Sequence, residues 1–90
     1  MPLHLSGFNT LEPAKKQIVR KMLDNFLRKL DNTNADVHKL ALTIKNIHKH
    51  QKGQKYEIQG TLTRPGRTSQ ASFTDFNVFS ALDKVLHRIK

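Results

Sequence analysis

The side chains with the means to do chemistry here are lysine, arginine and histidine, and their spacing suits gripping a polyanion. Lys16, Arg20, Lys21 and Arg28 recur within one segment, and Lys84, His87 and Arg88 within another. On a helix, steps of three and four return to the same side, so each set places cations along an exposed face. Arginine adds a fork that holds phosphate oxygens bidentately. A phosphate-lined groove needs cations spread over several turns more than it needs a catalytic geometry. These seven residues are therefore the candidate RNA-binding set. Asp24 and Asp83 stand among them and support a plainer account, in which the faces are solvated and carry intrahelical ion pairs. Lys49, Lys52 and Lys55 with Arg64 and Arg67 make a second basic group at the hairpin ends, equally suited to a clamp or to solubility alone.

Other chemistries find fewer residues. His48 and His50 are two apart, which on a strand puts both on one face, but no nearby carboxylate or thiolate completes a metal-ligand set. The absence of cysteine excludes disulfides, thiolate zinc sites and cysteine nucleophiles. There is no glycine-rich phosphate loop and no nucleophile motif, the four glycines fit turns, and the seven carboxylates suggest no acid and base pair. Neither catalysis, a cofactor nor a metal is expected. Histidine changes charge near neutral pH, so His87 could strengthen anion binding on acidification or be an ordinary surface histidine.

The composition agrees with an anionic partner. Sixteen Lys and Arg against seven Asp and Glu give a net charge of +9 in 90 residues, a charge that self-repels unless phosphate neutralises it. The 37% of apolar residues fall in periodic runs, enough for one modest core and a single domain spanning 1–90. Met1-Pro2-Leu3-His4-Leu5 has no basic stretch followed by a long apolar run, and nowhere do eighteen apolar residues stand together, so a signal peptide and a membrane span are both disfavoured. A cytoplasmic protein with no membrane partner is expected.

The elements that must position the cations follow from periodicity. Leu3 and Leu5 before Ser6-Gly7 read as a short strand, and a helix is predicted from near Glu12. Its apolar stripe is Ile18, Val19, Met22, Leu23, Phe26, Leu27 and Leu30, and Asp31-Asn32-Thr33-Asn34 should stop it. Leu40, Leu42 and Ile44, then Tyr56, Ile58 and Leu62, alternate with polar residues as strands with one wet face. Because Tyr56 shares a face with Ile58 and Leu62, aromatic readout of single-stranded RNA by the open sheet is disfavoured. Pro65-Gly66 is a tight turn into a weak fourth strand, about Thr68 to Phe73, suited to a sheet edge. Asp75 or Asn77 can cap a last helix with the stripe Val78, Ala81, Leu82, Val85, Leu86 and Ile89, and with Phe79 at its margin. The predicted fold class is α+β: a two-layer β-α-β-β-β-α arrangement with two helices on one face of a four-stranded sheet.

The order of these elements and several motifs resemble the family of hibernation-promoting factors and ribosome-associated inhibitors. In that family an aromatic, two small residues, an aliphatic and an aspartate open the last helix, and here these places hold Phe79, Ser80, Ala81, Leu82 and Asp83. The family's lysine five residues later falls on Arg88. Leu5-Ser6-Gly7 followed by Pro13-Ala14-Lys15-Lys16 is similar to the family's first strand and helix start, with Lys16 at the place of its arginine, and Pro65-Gly66 matches its turn.

The resemblance implies a fold like that of double-stranded RNA-binding domains and a short-form factor without the dimerisation domain of longer members. It also implies a monomer that silences idle ribosomes under stress from the mRNA and tRNA sites of the small subunit, on ribosomal RNA. Two alternatives stand beside it. One is a general double-stranded RNA binder; the other is a protein-interaction module using the open sheet face or an edge strand.

Overall fold

In a computed structural model of the chain, residues 3–32, 36–49 and 53–90 are described. The elements are β1 (Leu3–Ser6), a 3-10 turn (Phe8–Thr10), α1 (Pro13–Asn32), β2 (Lys39–Lys49), β3 (Gly53–Arg64), β4 (Arg67–Asp75) and α2 (Val78–Ile89). The sheet order is β1-β2-β3-β4. β1 and β2 are parallel, and the other two pairs are antiparallel. A parallel neighbour requires a crossover, which α1 supplies, whereas Pro65-Gly66 joins β3 to β4 directly, with Arg64 opposite Arg67 and Gly66 at φ 71. The predicted α+β class and element order hold.

Alternation puts Leu40, Leu42 and Ile44 of β2 and Tyr56, Ile58 and Leu62 of β3 against the helices, all buried. Phe8 and Leu11 at the 3-10 turn, Val19, Leu23, Phe26 and Leu30 of α1 and all six stripe residues of α2 complete the core. Among the described residues no polar or charged residue belongs to this core, so its interior is apolar except for the Tyr56 hydroxyl, which accepts from Lys15 at the margin. The opposite sheet face carries rows of polar side chains, such as Thr43, Gln59 and Ser72 in one register and Lys45, Glu57 and Thr74 in another.

Several expectations need correction. Ile18 is 46% exposed; the buried stripe centres on Val19, and Ile18 is turned outward by the 100° between successive helical residues. α1 ends at Asn32, within the predicted stop cluster, but Asp31 and Asn32 still belong to the helix; Thr33 and Asn34 lie outside the described residues. β4 is the expected edge strand but runs from Arg67 to Asp75, because backbone pairing with β3 persists where the hydrophobic pattern is weak. Gly7, Gly53 and Gly66 have positive φ and suit turns, but Gly60 lies within β3 on the core face. A Cβ there would stand 2.6 Å from Val85 Cγ1 and 3.0 Å from Leu42 Cδ2, so helix and sheet approach closely because this side chain is missing.

Asn77 is the cap of α2. Its Oδ1 accepts from the Phe79 and Ser80 amides at 2.9 and 3.1 Å, while Asp75 Oδ1 accepts from the Asn77 amide at 2.9 Å. Both candidate residues thus take part, Asn77 directly and Asp75 by fixing the turn before it. Asn77→Ala should cost about 1 kcal/mol, read as a lower urea midpoint with an unchanged denaturant slope.

Candidate nucleic-acid interface

Because α2 buries one stripe completely, Asp83, Lys84, His87 and Arg88 face solvent, with Phe79 and Ser80 half-buried at its first turn. Lys84 and Arg88, one turn apart, lean over the sheet edge, where Phe73 of β4 lies beneath them. The Lys84 ammonium is 5.7 Å and the Arg88 guanidinium 5.3 Å from the ring centroid. Like charges at this spacing repel by a few tenths of a kcal/mol, and attraction of each cation to the ring, roughly 0.5–1 kcal/mol at exposed sites, offsets that. Two cations are thereby held on one platform, a ready arrangement for a phosphate.

His87 turns the other way. Its Nδ1 lies 2.9 Å from the Asp83 carbonyl oxygen and 3.4 Å from Asp83 Oδ1. A carbonyl oxygen only accepts, so Nδ1 carries the proton in that bond and Nε2 is left to solvent. His87 lines the groove between the two helices together with Asp83, Lys90 and, from α1, Asn25 and Lys29. Lys29 and Lys90 were not in the predicted set; Lys29 lies seven residues after Met22, on the flank that meets α2, a relation visible only once the helices are packed.

Lys16 and Arg20 lie on the opposite flank of α1, beside Leu3 and Leu5 of β1 and close to Asp24. Lys21 and Arg28 are exposed on the outer face. Among the described residues, no ion pair joins Asp24 to Lys21 or Arg28, or Asp83 to Lys84; the pair within 4.0 Å is His87 with Asp83. The seven predicted residues are thus all on the solvent side of the helical layer, but in separate groups. Lys16 and Arg20 overhang β1, Lys21 and Arg28 point outward, Lys84 and Arg88 overhang β4, and His87 enters the inter-helix groove. Adjacent helices do not by themselves merge these into one stripe.

The second basic group does not come together. Lys55 and Arg64 are nine residues apart on β3, about 30 Å at the rise of a strand, so Lys55 and the Arg64/Arg67 pair occupy opposite ends of the sheet. The side chains of Lys49 and Lys52, and with them the paired histidines His48 and His50, lie outside the described residues. Elsewhere Lys15 Nζ donates to the Tyr56 hydroxyl at 3.2 Å. That hydrogen bond, aided by the charge of Glu12, holds the Lys15 ammonium above its ordinary value. Among the described residues no three His, Asp or Glu side chains gather as a metal site would need.

No protein-family model and no curated protein matches the chain. Among solved structures, it is similar to a ribosomal subunit interface protein from Coxiella burnetii at a TM-score of 0.69 and 17% identity, over 97% of this chain and 87% of the other. The resemblance read from Phe79-Ser80-Ala81-Leu82-Asp83 and the order of elements is therefore borne out at the level of structure: this chain has the fold of a ribosomal subunit interface protein.

Proposed function

We propose that this protein is a ribosome-associated hibernation factor that binds small-subunit ribosomal RNA and blocks translation by occupancy. The observation that carries this reading is the likeness to a ribosomal subunit interface protein over nearly the whole chain, in a sequence of net charge +9. In this reading the protein acts in the cytoplasm under stress, as a monomer and a single unit over 1–90, with neither catalysis nor a cofactor. Lys16, Arg20, Lys21, Arg28, Lys84, His87 and Arg88 neutralise phosphates, and the sheet is their rigid support. Lys84, Arg88, Lys21 and Arg28, exposed and without an ion pair among the described residues, support that role. No helix of the described residues is long and apolar enough to cross a membrane.

The test is sedimentation through sucrose gradients with purified small subunits, large subunits and whole ribosomes at about 50 and 200 mM salt, across which several phosphate contacts lose affinity steeply. Co-migration with small subunits and whole ribosomes at the lower salt, diminished at the higher and exceeding binding to duplex RNA, is expected. Equal binding to arbitrary duplexes would instead make the protein a general double-stranded RNA binder. No ribosome binding at low salt would remove the function.

A further inference from the structure

Phe76 is the aromatic among the exposed large hydrophobic residues of the described chain, with 48% of its surface open. It does not sit on a loose loop. Asp75 and Asn77 on either side are tied by the hydrogen bonds that cap α2, so the ring is presented from a rigid turn. Lys55 lies over the ring, its ammonium 5.0 Å from the centroid. Strand alternation puts Lys55 on the open sheet face, level with Ile47 and next in register to the row of Lys45, Glu57 and Thr74. Glu57 faces Lys45 across the strands and accepts from Gln59 at 3.5 Å. Among the described residues, Lys55 has no carboxylate partner within ion-pair distance.

An aromatic ring held in the open, with an unneutralised cation beside it, has two natural occupants: an apolar protein surface or a nucleobase. Its neighbours decide between them. Thr74, Asp75 and Asn77 are polar and Ile47, level with Lys55, is half-buried, so the ring and this one aliphatic neighbour fall short of a continuous apolar patch of the size that marks a protein interface. One planar base with its phosphate matches one ring with its lysine, since every base offers a π-face and stacking tolerates any sequence. We propose that Phe76 stacks an unpaired nucleobase of an RNA strand passing the end of the open sheet face, and that Lys55 takes the adjoining phosphate. This rests on the RNA-binding reading above and adds to it a single-stranded contact on the side of the molecule away from the helix faces.

The chain has no tryptophan, so Phe76→Trp would report from this position alone. Short single-stranded oligoadenylate should quench its emission. Labelled oligoadenylate should bind Phe76→Ala about tenfold more weakly than the unaltered protein, the scale of losing one base–aromatic stack, with Phe76→Tyr retaining affinity and duplex RNA bound equally by all three. Thermal melting should be little changed, because the ring lies outside the core. Unquenched tryptophan with equal affinities, or no binding of the single strand by the unaltered protein, would overturn the stacking site and leave Phe76 to a protein partner. Sedimentation of the unaltered protein with ribosomes separates the two readings. If it persists while stacking fails, only this site is lost; if stacking holds while ribosome binding fails, the ribosomal reading falls and the site remains.

Discussion

Gly60→Ala should destabilise the protein by about 1–3 kcal/mol, the range for forcing an extra carbon into a packed core. The added Cβ would stand 2.6 Å from Val85 Cγ1, 3.0 Å from Leu42 Cδ2 and 3.3 Å from Ile89 Cδ1. Backbone conformation is not the reason, since Gly60 is not among the positive-φ glycines and alanine is compatible with a strand. The cost comes from α2, whose Val85 and Ile89 are fully buried against β3 and cannot retreat without opening the core. For a chain of this size each kcal/mol lowers the melting temperature by roughly 4–8 °C. A steric origin makes a further demand. Val85→Ala alone should destabilise by leaving a void, yet Gly60→Ala with Val85→Ala should be more stable than the sum of the two losses, because the new methyl occupies the vacated space. Additivity within about 0.5 kcal/mol would show that the close approach at Gly60 is not what limits this position.

That glycine also marks where sequence reasoning stops. The strands were legible because Leu40, Leu42 and Ile44, and Tyr56, Ile58 and Leu62, alternate with polar residues, and a period of two puts all of them on one face. Gly60 occupies the same face between Ile58 and Leu62, but glycine has no side chain to enter the pattern, and its role depends on a helix distant in sequence. α1 was legible for the same periodic reason, except at its margin: Ile18 is apolar but one residue from the buried stripe, and a pattern of apolar positions does not say where a helix rests on the sheet. The candidate site was legible as a set of exposed cations and illegible as a geometry. Periodicity assigned Lys84 and Arg88 to an outer face of α2, but their common seat on Phe73 depends on β4 pairing to the far edge of the sheet. Phe76 lies before the apolar stripe of the last helix; its presentation follows from the Asp75 and Asn77 hydrogen bonds, which a sequence pattern does not resolve.

The division of the cations between two flanks leads to the second large expected effect. Lys84→Glu with Arg88→Glu should weaken binding to small subunits by more than tenfold. It should lower the slope of log affinity against log salt by about two, near one unit for each phosphate contact removed. Lys16→Glu with Arg20→Glu should weaken it less. The physical difference is local: Lys84 and Arg88 share one aromatic seat and, among the described residues, form no ion pair, whereas Lys16 and Arg20 lie beside Asp24, which already lowers the potential on their flank. All four side chains are exposed, so loss of fold should not confuse the comparison; removing the two ring contacts costs roughly 1–2 kcal/mol at most, which thermal melting would register separately. The measurement is ribosome affinity over a salt series for each double variant. Equal losses would mean that RNA is gripped from both flanks of the helical layer, which requires a groove wide enough to admit both helices. A loss confined to Lys84 and Arg88 would place the β4 edge against the RNA and leave the β1 edge, with its exposed Leu3 and Leu5, free. If neither double variant changes affinity or salt slope, the flanks of the helical layer are not the RNA-binding surface, whatever the fold suggests.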